Sequence, residues 1–403
     1  MTQQDIRRRA LLAGMAGAVA APAIARAEGT GGVALVVGNS KYHWESALPN
    51  VRRDAPDIAK RLQALGLKVE VVMDLDRAAM LAAIDKVGAV ARGAPFAAFY
   101  FAGHGVSWDY NTYLVPTDSD LSDAGTVKQL VHTNELYERL KGAQHSLMVF
   151  DACRNNPADG WRQVEALRTA VVRNPAKVVE AAPANSLVMF STAPGHTALD
   201  GPAGQNSPFA AALLRQLAGS VDIASLPEKL RRALIVDTQG RQLLFDINAY
   251  KQPFVLGSGA PAAAGASPAR ELTKTYAFAR ENGIPLPIGL LAIPPSGPQH
   301  AAKVGAFSFE GRAQNMRFPE ILAVLSVDES QGSAYVVMSA KTPLAYWRFI
   351  KANVAGDKID FRPSISSAHY TFEWRGPDGG SMGQIWQSDF GARPHSARFT
   401  RLD

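Results

Sequence analysis

Phe96-Ala97-Ala98-Phe99-Tyr100-Phe101-Ala102-Gly103-His104-Gly105 is an apolar run that breaks on a histidine flanked by glycines. Ser146-Leu147-Met148-Val149-Phe150-Asp151-Ala152-Cys153-Arg154-Asn155-Asn156-Pro157 has the same form and breaks on the only cysteine of the chain. Short apolar runs bounded by turn residues read as strands buried on both faces, as in parallel sheets. Working outward, Val33–Val37, Leu67–Met73 and Ser186–Ser191 read as further strands, with a last one at Phe254-Val255-Leu256. Between them, apolar residues at helical spacing (Ala55, Ile58, Leu62, Leu65) and the segments 78–90, 209–217 and 226–234 read as helices. Such alternation predicts an α/β fold with a mostly parallel sheet flanked by helices. Chemistry in such folds gathers in loops at the carboxyl ends of strands.

The chain has 403 residues, 47% hydrophobic and 19% charged, enough for two or three globular domains and unlike a disordered chain. Its formal charge is +6, with no Lys/Arg run of the nucleic-acid-binding type. Half of that charge lies in residues 1–27, which hold four Arg and one Asp. There Arg7-Arg8-Arg9 precede an apolar stretch too short to span a bilayer, and Ala25-Arg26-Ala27 supplies a small-x-small cleavage site. Residues 1–27 are therefore expected to be a removed export signal of twin-arginine type, with the mature protein periplasmic or secreted and without a membrane span. Residues 28–257 form the expected α/β domain, and the Gly/Ala/Pro/Ser stretch 258–270 a linker. Residues 271–403 are read as a connector helix and a small β-rich domain, an antiparallel barrel or sandwich. Its hairpin signal is Pro377-Asp378-Gly379-Gly380, and Trp347, Phe361, Tyr370, Trp374 and Trp386 are its expected core.

One cysteine excludes an intramolecular disulfide and any multi-cysteine zinc site. If the two apolar strands lie in one parallel sheet, their terminal loops emerge at the same edge and bring His104 to Cys153. A free thiol is only a few per cent thiolate at neutral pH, and a nearby imidazole can take its proton and later protonate a leaving amine. The Gly105 and Cys153 N–H groups are then candidate oxyanion donors. His43, His132, His145 and His196 are read as structural or surface residues.

These pieces resemble the caspase-like cysteine peptidases, on the bacterial metacaspase (orthocaspase) side of that group. The resemblance covers roughly residues 33–256. It rests on Val33–Gly38 with Asn39, Phe101-Ala102-Gly103-His104-Gly105, Tyr113-Leu114-Val115-Pro116-Thr117-Asp118, Asp151–Pro157 and Ser191-Thr192-Ala193-Pro194-Gly195. It implies a cysteine endopeptidase with His104 as general base and acid and Cys153 as nucleophile. It also implies cleavage of protein or peptide substrates after Arg or Lys, in a P1 pocket holding the Asp54 and Asp151 carboxylates. Self-cleavage would fall within 155–185, where Arg162, Arg168, Arg173 and Lys177 stand. No cofactor is expected. Thr133-Asn134 replace the paired aspartates of calcium-dependent members, which speaks against calcium activation, and the acidic loop at Asp118, Asp120 and Asp123 reads as a solvated turn. Ala102 replaces a serine common two residues before the histidine. Two other readings compete: a caspase-fold binding protein with an idle dyad, whose C-terminal β domain carries the function, and a serine hydrolase using Ser191 or Ser207 with His196. The oligomeric state is left open.

Overall fold

The computed structural model describes residues 25–27, 32–108, 111–122, 124–154, 183–261, 269–293, 303–313, 316–328, 330–340, 347–361, 370–374, 383–387 and 395–403. Six strands form the central sheet: β1 (Val33–Gly38), β2 (Lys68–Met73), β3 (Ala97–Ala102), β4 (Ser146–Asp151), β5 (Ser186–Phe190) and β6 (Phe245–Asn248). Their spatial order is β6-β5-β4-β3-β1-β2, parallel except for β6. Every residue of β3, β4 and β5 is buried, because helices cover both faces.

Strand alternation sorts the side chains between those faces. Ala98, Tyr100, Leu147 and Val149 join a cluster with α1 (Val51–Ala64), α4 (Pro208–Gln216) and α5 (Leu226–Asp237). Ala97, Phe99, Phe101, Met148 and Phe150 point the other way, onto α2 (Arg77–Ala91) and α3 (Thr133–Leu140).

One expected strand belongs elsewhere. Phe254–Pro261 is not part of this sheet; it pairs with Ala25–Ala27 in parallel and with Gly219–Asp222 antiparallel. The sixth place goes to β6, antiparallel to β5, a four-residue edge strand whose Asp246 and Asn248 hide its apolar signal. The strand 254–261 also runs into the first four residues of the expected linker; residues 262–268 lie outside the described ones. Of the expected export signal, Ala25–Ala27 is a paired strand and residues 1–24 lie outside the described residues. No helix among the described residues is long and apolar enough to cross a membrane.

A connector helix, α6 (Thr273–Asn282), leads to a closed antiparallel barrel. Its strands are β7 (Gly305–Ala313), β8 (Met316–Asp328), β9 (Ser333–Ala340), β10 (Trp347–Ala355), β11 (Lys358–Phe361), β12 (Tyr370–Trp374), β13 (Gly383–Gln387) and β14 (His395–Arg401). Pairing of β7 with β14 closes it, and eight strands leave an interior that side chains can fill. Phe307, Phe372, Trp374 and Phe399 pack there ring against ring, with Phe307 and Phe399 centroids 5.3 Å apart. Phe361, Tyr370 and Trp374 are buried as expected, and Trp347 is half-buried. The barrel is docked on the α/β domain: Ala193, Ile235 and Leu243 share its apolar cluster, and Ser326 Oγ donates to the Gln239 carbonyl at 2.7 Å.

Candidate active site

Strand register brings the two expected loops together. β3 and β4 are neighbours with Ala102 opposite Asp151, so His104 and Cys153 each stand two residues beyond a registered pair. Past the strand ends, the Gly103 N–H donates to the Asp151 carbonyl at 3.2 Å and keeps the loops side by side. Gly105 approaches so closely that a Cβ there would lie 2.7 Å from the Cys153 carbonyl oxygen. Only glycine allows that approach. Gly105 also pairs with Leu114 in a short hairpin, and the Val115 N–H donates to the His104 carbonyl at 3.0 Å. That bond makes the Gly105–Leu114 pair the non-hydrogen-bonded kind, so the Gly105 N–H points away from the hairpin ladder.

His104 is held from three sides. Its N–H donates to the Tyr42 hydroxyl at 2.7 Å, the Tyr42 ring packs on the imidazole at 4.6 Å, and Nε2 lies 2.8 Å from the Ser46 carbonyl. A carbonyl only accepts, so Nε2 carries the hydrogen and Nδ1 keeps the lone pair of a base. Cys153 is half-buried. Burial pushes its thiol up, the charges of Asp151 and Asp200 push it the same way, and a hydrogen bond from the Ala198 backbone opposes them. A thiol so held needs a base beside it.

Alternation along β4 sends Asp151 to the α1 face, where Tyr100 also points. There the Asp151 carboxylate accepts from Ser207 Oγ at 2.8 Å and Tyr100 OH at 3.3 Å. Asp54 comes to the same place from the first turn of α1, accepting from Asn206 Nδ2 and the Ser207 N–H, both at 3.0 Å. Asn50 occupies the N-cap position of this helix, which leaves the Asp54 carboxylate free to face Asp151 from within the first turn. Both carboxylates are almost fully buried, at 2% exposure for Asp54 and 8% for Asp151. Burial, then the Asp151 charge, pushes Asp54 up to about 7; burial pushes Asp151 up to about 6 against its hydroxyl partners. Among the described residues neither has a Lys or Arg ion-pair partner.

A third carboxylate, Asp200, stands exposed at the mouth of this pair. It acts electrostatically on Asp54, Asp151 and Cys153, and burial raises it while His104 draws it down. Asn50 Nδ2 pins this loop by donating to the Asp200 and Pro202 carbonyls at 2.8 and 3.1 Å. The sequence reading missed Asp200, whose one signal was a loop position after the fifth strand. It missed Ser46 too, which contributes a main-chain carbonyl and so carries no side-chain signal.

Other candidates have plain structural partners. The Asp118 carboxylate accepts from the Arg77 N–H at 3.1 Å and that of Asp120 from the Ser122 N–H at 2.9 Å, while Asp123 lies outside the described residues. No cluster of three or more His, Cys, Asp or Glu among the described residues is arranged to hold a metal ion. Ser207 caps α4, Ser191 Oγ bonds to Ala152, and His196 turns Nε2 to the Phe349 carbonyl at 2.6 Å. Of the expected self-cleavage region, residues 155–182 lie outside the described ones.

An apolar strand ending in His104 beside one ending in Cys153, at the carboxyl edge of a helix-flanked sheet, defines a cysteine-peptidase architecture of caspase type. The caspase domain family model matches residues 31–252, more than half of the chain, which therefore belongs to that family of cysteine peptidases. Among solved structures, the chain is similar to caspase-1 from Spodoptera frugiperda, at 17% identity and a TM-score of 0.44, over 58% of this chain and 93% of that one. No curated protein matches the chain.

Proposed function

We propose that this chain is an exported cysteine endopeptidase that cleaves peptide bonds after Arg or Lys through Cys153 and His104. The observation that carries the basic preference is the buried Asp54–Asp151 pair, which has no cation of its own among the described residues. Two buried carboxylates held only by neutral donors repel each other and an acidic side chain alike; a guanidinium or ammonium relieves both. Asp200 at the mouth adds attraction for the incoming cation.

His104 Nδ1 takes the thiol proton, and the thiolate attacks the scissile carbonyl carbon. The oxyanion that forms is met by the Gly105 and Cys153 N–H groups. The proton passes from His104 to the leaving amine, giving a thioester that water hydrolyses with His104 acting as base. This route draws on the two side chains, the two N–H groups and water alone, and needs no cofactor or calcium. The basic residues Arg162, Arg168, Arg173 and Lys177 are fitting sites for self-cleavage, and the twin-arginine pattern at Arg8-Arg9 supports export of the mature enzyme to the periplasm or out of the cell.

A peptide-coumarin with Arg at P1 tests the reading: wild type turns it over, while Cys153→Ala and His104→Ala do not. Turnover by neither wild type nor variants, with and without calcium and after nicking in 155–185, overturns it in favour of a binding protein. New N-termini after basic residues in wild type, absent in Cys153→Ala, are the expected mark of self-processing.

A further inference from the structure

Cys153 and its neighbour Arg154 are laced to another segment. The Gly195 N–H donates to the Arg154 carbonyl at 2.8 Å, and the Arg154 N–H to the His196 carbonyl at 2.9 Å. Two residues on, the Ala198 backbone hydrogen-bonds to the Cys153 thiol and favours its thiolate form. Residues 195–198 thus run alongside the nucleophile as a short ladder, and the position of this segment sets that of the sulfur.

What holds the segment is the C-terminal barrel. His196 lies in the middle of the ladder, and its Nε2 donates to the carbonyl of Phe349 in β10 at 2.6 Å while its ring packs on the Phe349 ring at 4.9 Å. Just upstream, Ala193 is buried in the barrel's apolar cluster. The other rail of the ladder leads to the same strand. The Arg154 guanidinium lies 3.9 Å from the Phe190 ring and 4.9 Å from that of Phe245, and Phe245 packs on Trp347 of β10 at 5.5 Å. The two rails are thereby anchored on Phe349 and Trp347, two residues of one barrel strand.

We infer that β10 of the barrel belongs to the catalytic centre, with His196 as the positioning residue that holds segment 195–198 against Cys153. The barrel is then a structural partner of the nucleophile, and any ligand that shifts β10 changes its reactivity. The inference rests on Cys153 being the nucleophile of the proposed peptidase, and not on the P1 preference. A displacement of about 1 Å in a catalytic group costs about 100-fold in rate.

Because the chain has one cysteine, alkylation by iodoacetamide reads Cys153 alone in the folded full-length protein. His196→Ala is expected to slow alkylation at pH 7 and move its pH profile upward, since the Ala198 donor retreats from the sulfur. With the Arg-P1 coumarin it should lower kcat about 100-fold and leave KM within about threefold. His196→Gln, which keeps a donor for the Phe349 carbonyl, should recover most of both. Trp347→Ala, acting from the barrel side, should shift the alkylation profile in the same direction, and it serves if His196→Ala does not fold. A fall in Tm with an unchanged alkylation profile and unchanged kcat would mean a merely structural contact and overturn the inference. Failure of wild type to cleave the coumarin overturns the proposed activity, whereas the alkylation arm still decides the role of His196.

Discussion

Replacing Asp151 by Asn should make Cys153 more reactive and the enzyme worse. Asp151 stands two residues before Cys153 at the end of β4, and its charge is among the causes that hold the thiol up. Two residues of strand span about 7 Å. Two unit charges that far apart at an effective dielectric near 20 interact by about 2 kcal/mol, and by about half of that where water fills the mouth. One or two kcal/mol is a factor of about 5–30 in an equilibrium, here the thiolate fraction at pH 7. Asn keeps the shape and one acceptor, and the Ser207 and Tyr100 hydroxyls can rotate to suit it. The iodoacetamide rate at pH 7 should therefore rise, by somewhat less than the thiolate fraction because a less basic thiolate is a weaker nucleophile. In the same preparation, kcat/KM for the Arg-P1 coumarin should fall about 10–100-fold, since a charged hydrogen bond to the substrate is lost. The two assays move in opposite directions only if Asp151 both binds the substrate cation and holds back the thiolate. Unchanged alkylation with unchanged kcat/KM would refute both halves of that reasoning.

The acid pair also predicts opposed pH dependences. In the folded chain Asp54 and Asp151 titrate at about 7 and about 6 instead of 3.8. The folded state therefore holds protons that the unfolded chain has released, and stability is lost as pH rises from about 4 through about 7. Melts should show Tm falling across that window, with a smaller fall in Asp54→Asn/Asp151→Asn, while a peptide aldehyde with Arg at P1 binds more tightly as pH rises. Gly105→Ala, whose Cβ would meet the Cys153 carbonyl oxygen at 2.7 Å, should cost about 100-fold in kcat, and wild-type kcat in this variant would show that the loops are free to part. Asp200→Asn should raise KM for the Arg substrate several-fold with little change in kcat. That effect should shrink at high salt, as expected of an exposed charge, and a salt-independent effect would contradict the mouth position.

Much of the layout of the candidate site was legible because it depends on patterns that one strand carries by itself. Two apolar runs ending in Gly-His-Gly and Asp-Ala-Cys predicted neighbouring loops, and the Ala102–Asp151 register provides them. What escaped depends on partners far along the chain or on the backbone. Ser46 serves through a carbonyl, and Asp200 matters only because Asn50, 150 residues earlier, fixes its loop over α1. The edge strand was misplaced for a related reason. Phe254-Val255-Leu256 has the stronger apolar signal, yet its Phe254 and Leu256 are buried with α1, α4 and α5, while the weaker Phe245–Asn248 completes the sheet. Period-two alternation indicated a β-rich C-terminal domain, but closure of β7 on β14 joins residues about ninety apart, beyond what local alternation can specify.

An edge strand offers its open backbone to any other strand, and chains that expose one tend to stick to copies of themselves. At β6 that invitation is short and tied down. Asp246 is bonded to the buried Arg231, Asn248 Nδ2 donates to the Ala224 carbonyl, and Phe245 is packed on Trp347. A second copy adding itself along this edge would meet the barrel where Phe245 lies, and to pair fully it would have to loosen the ring that supports Arg154. The same ring that fills the space beside this edge is thus the one that props Arg154, so the edge is closed by a residue of the nucleophile's own support.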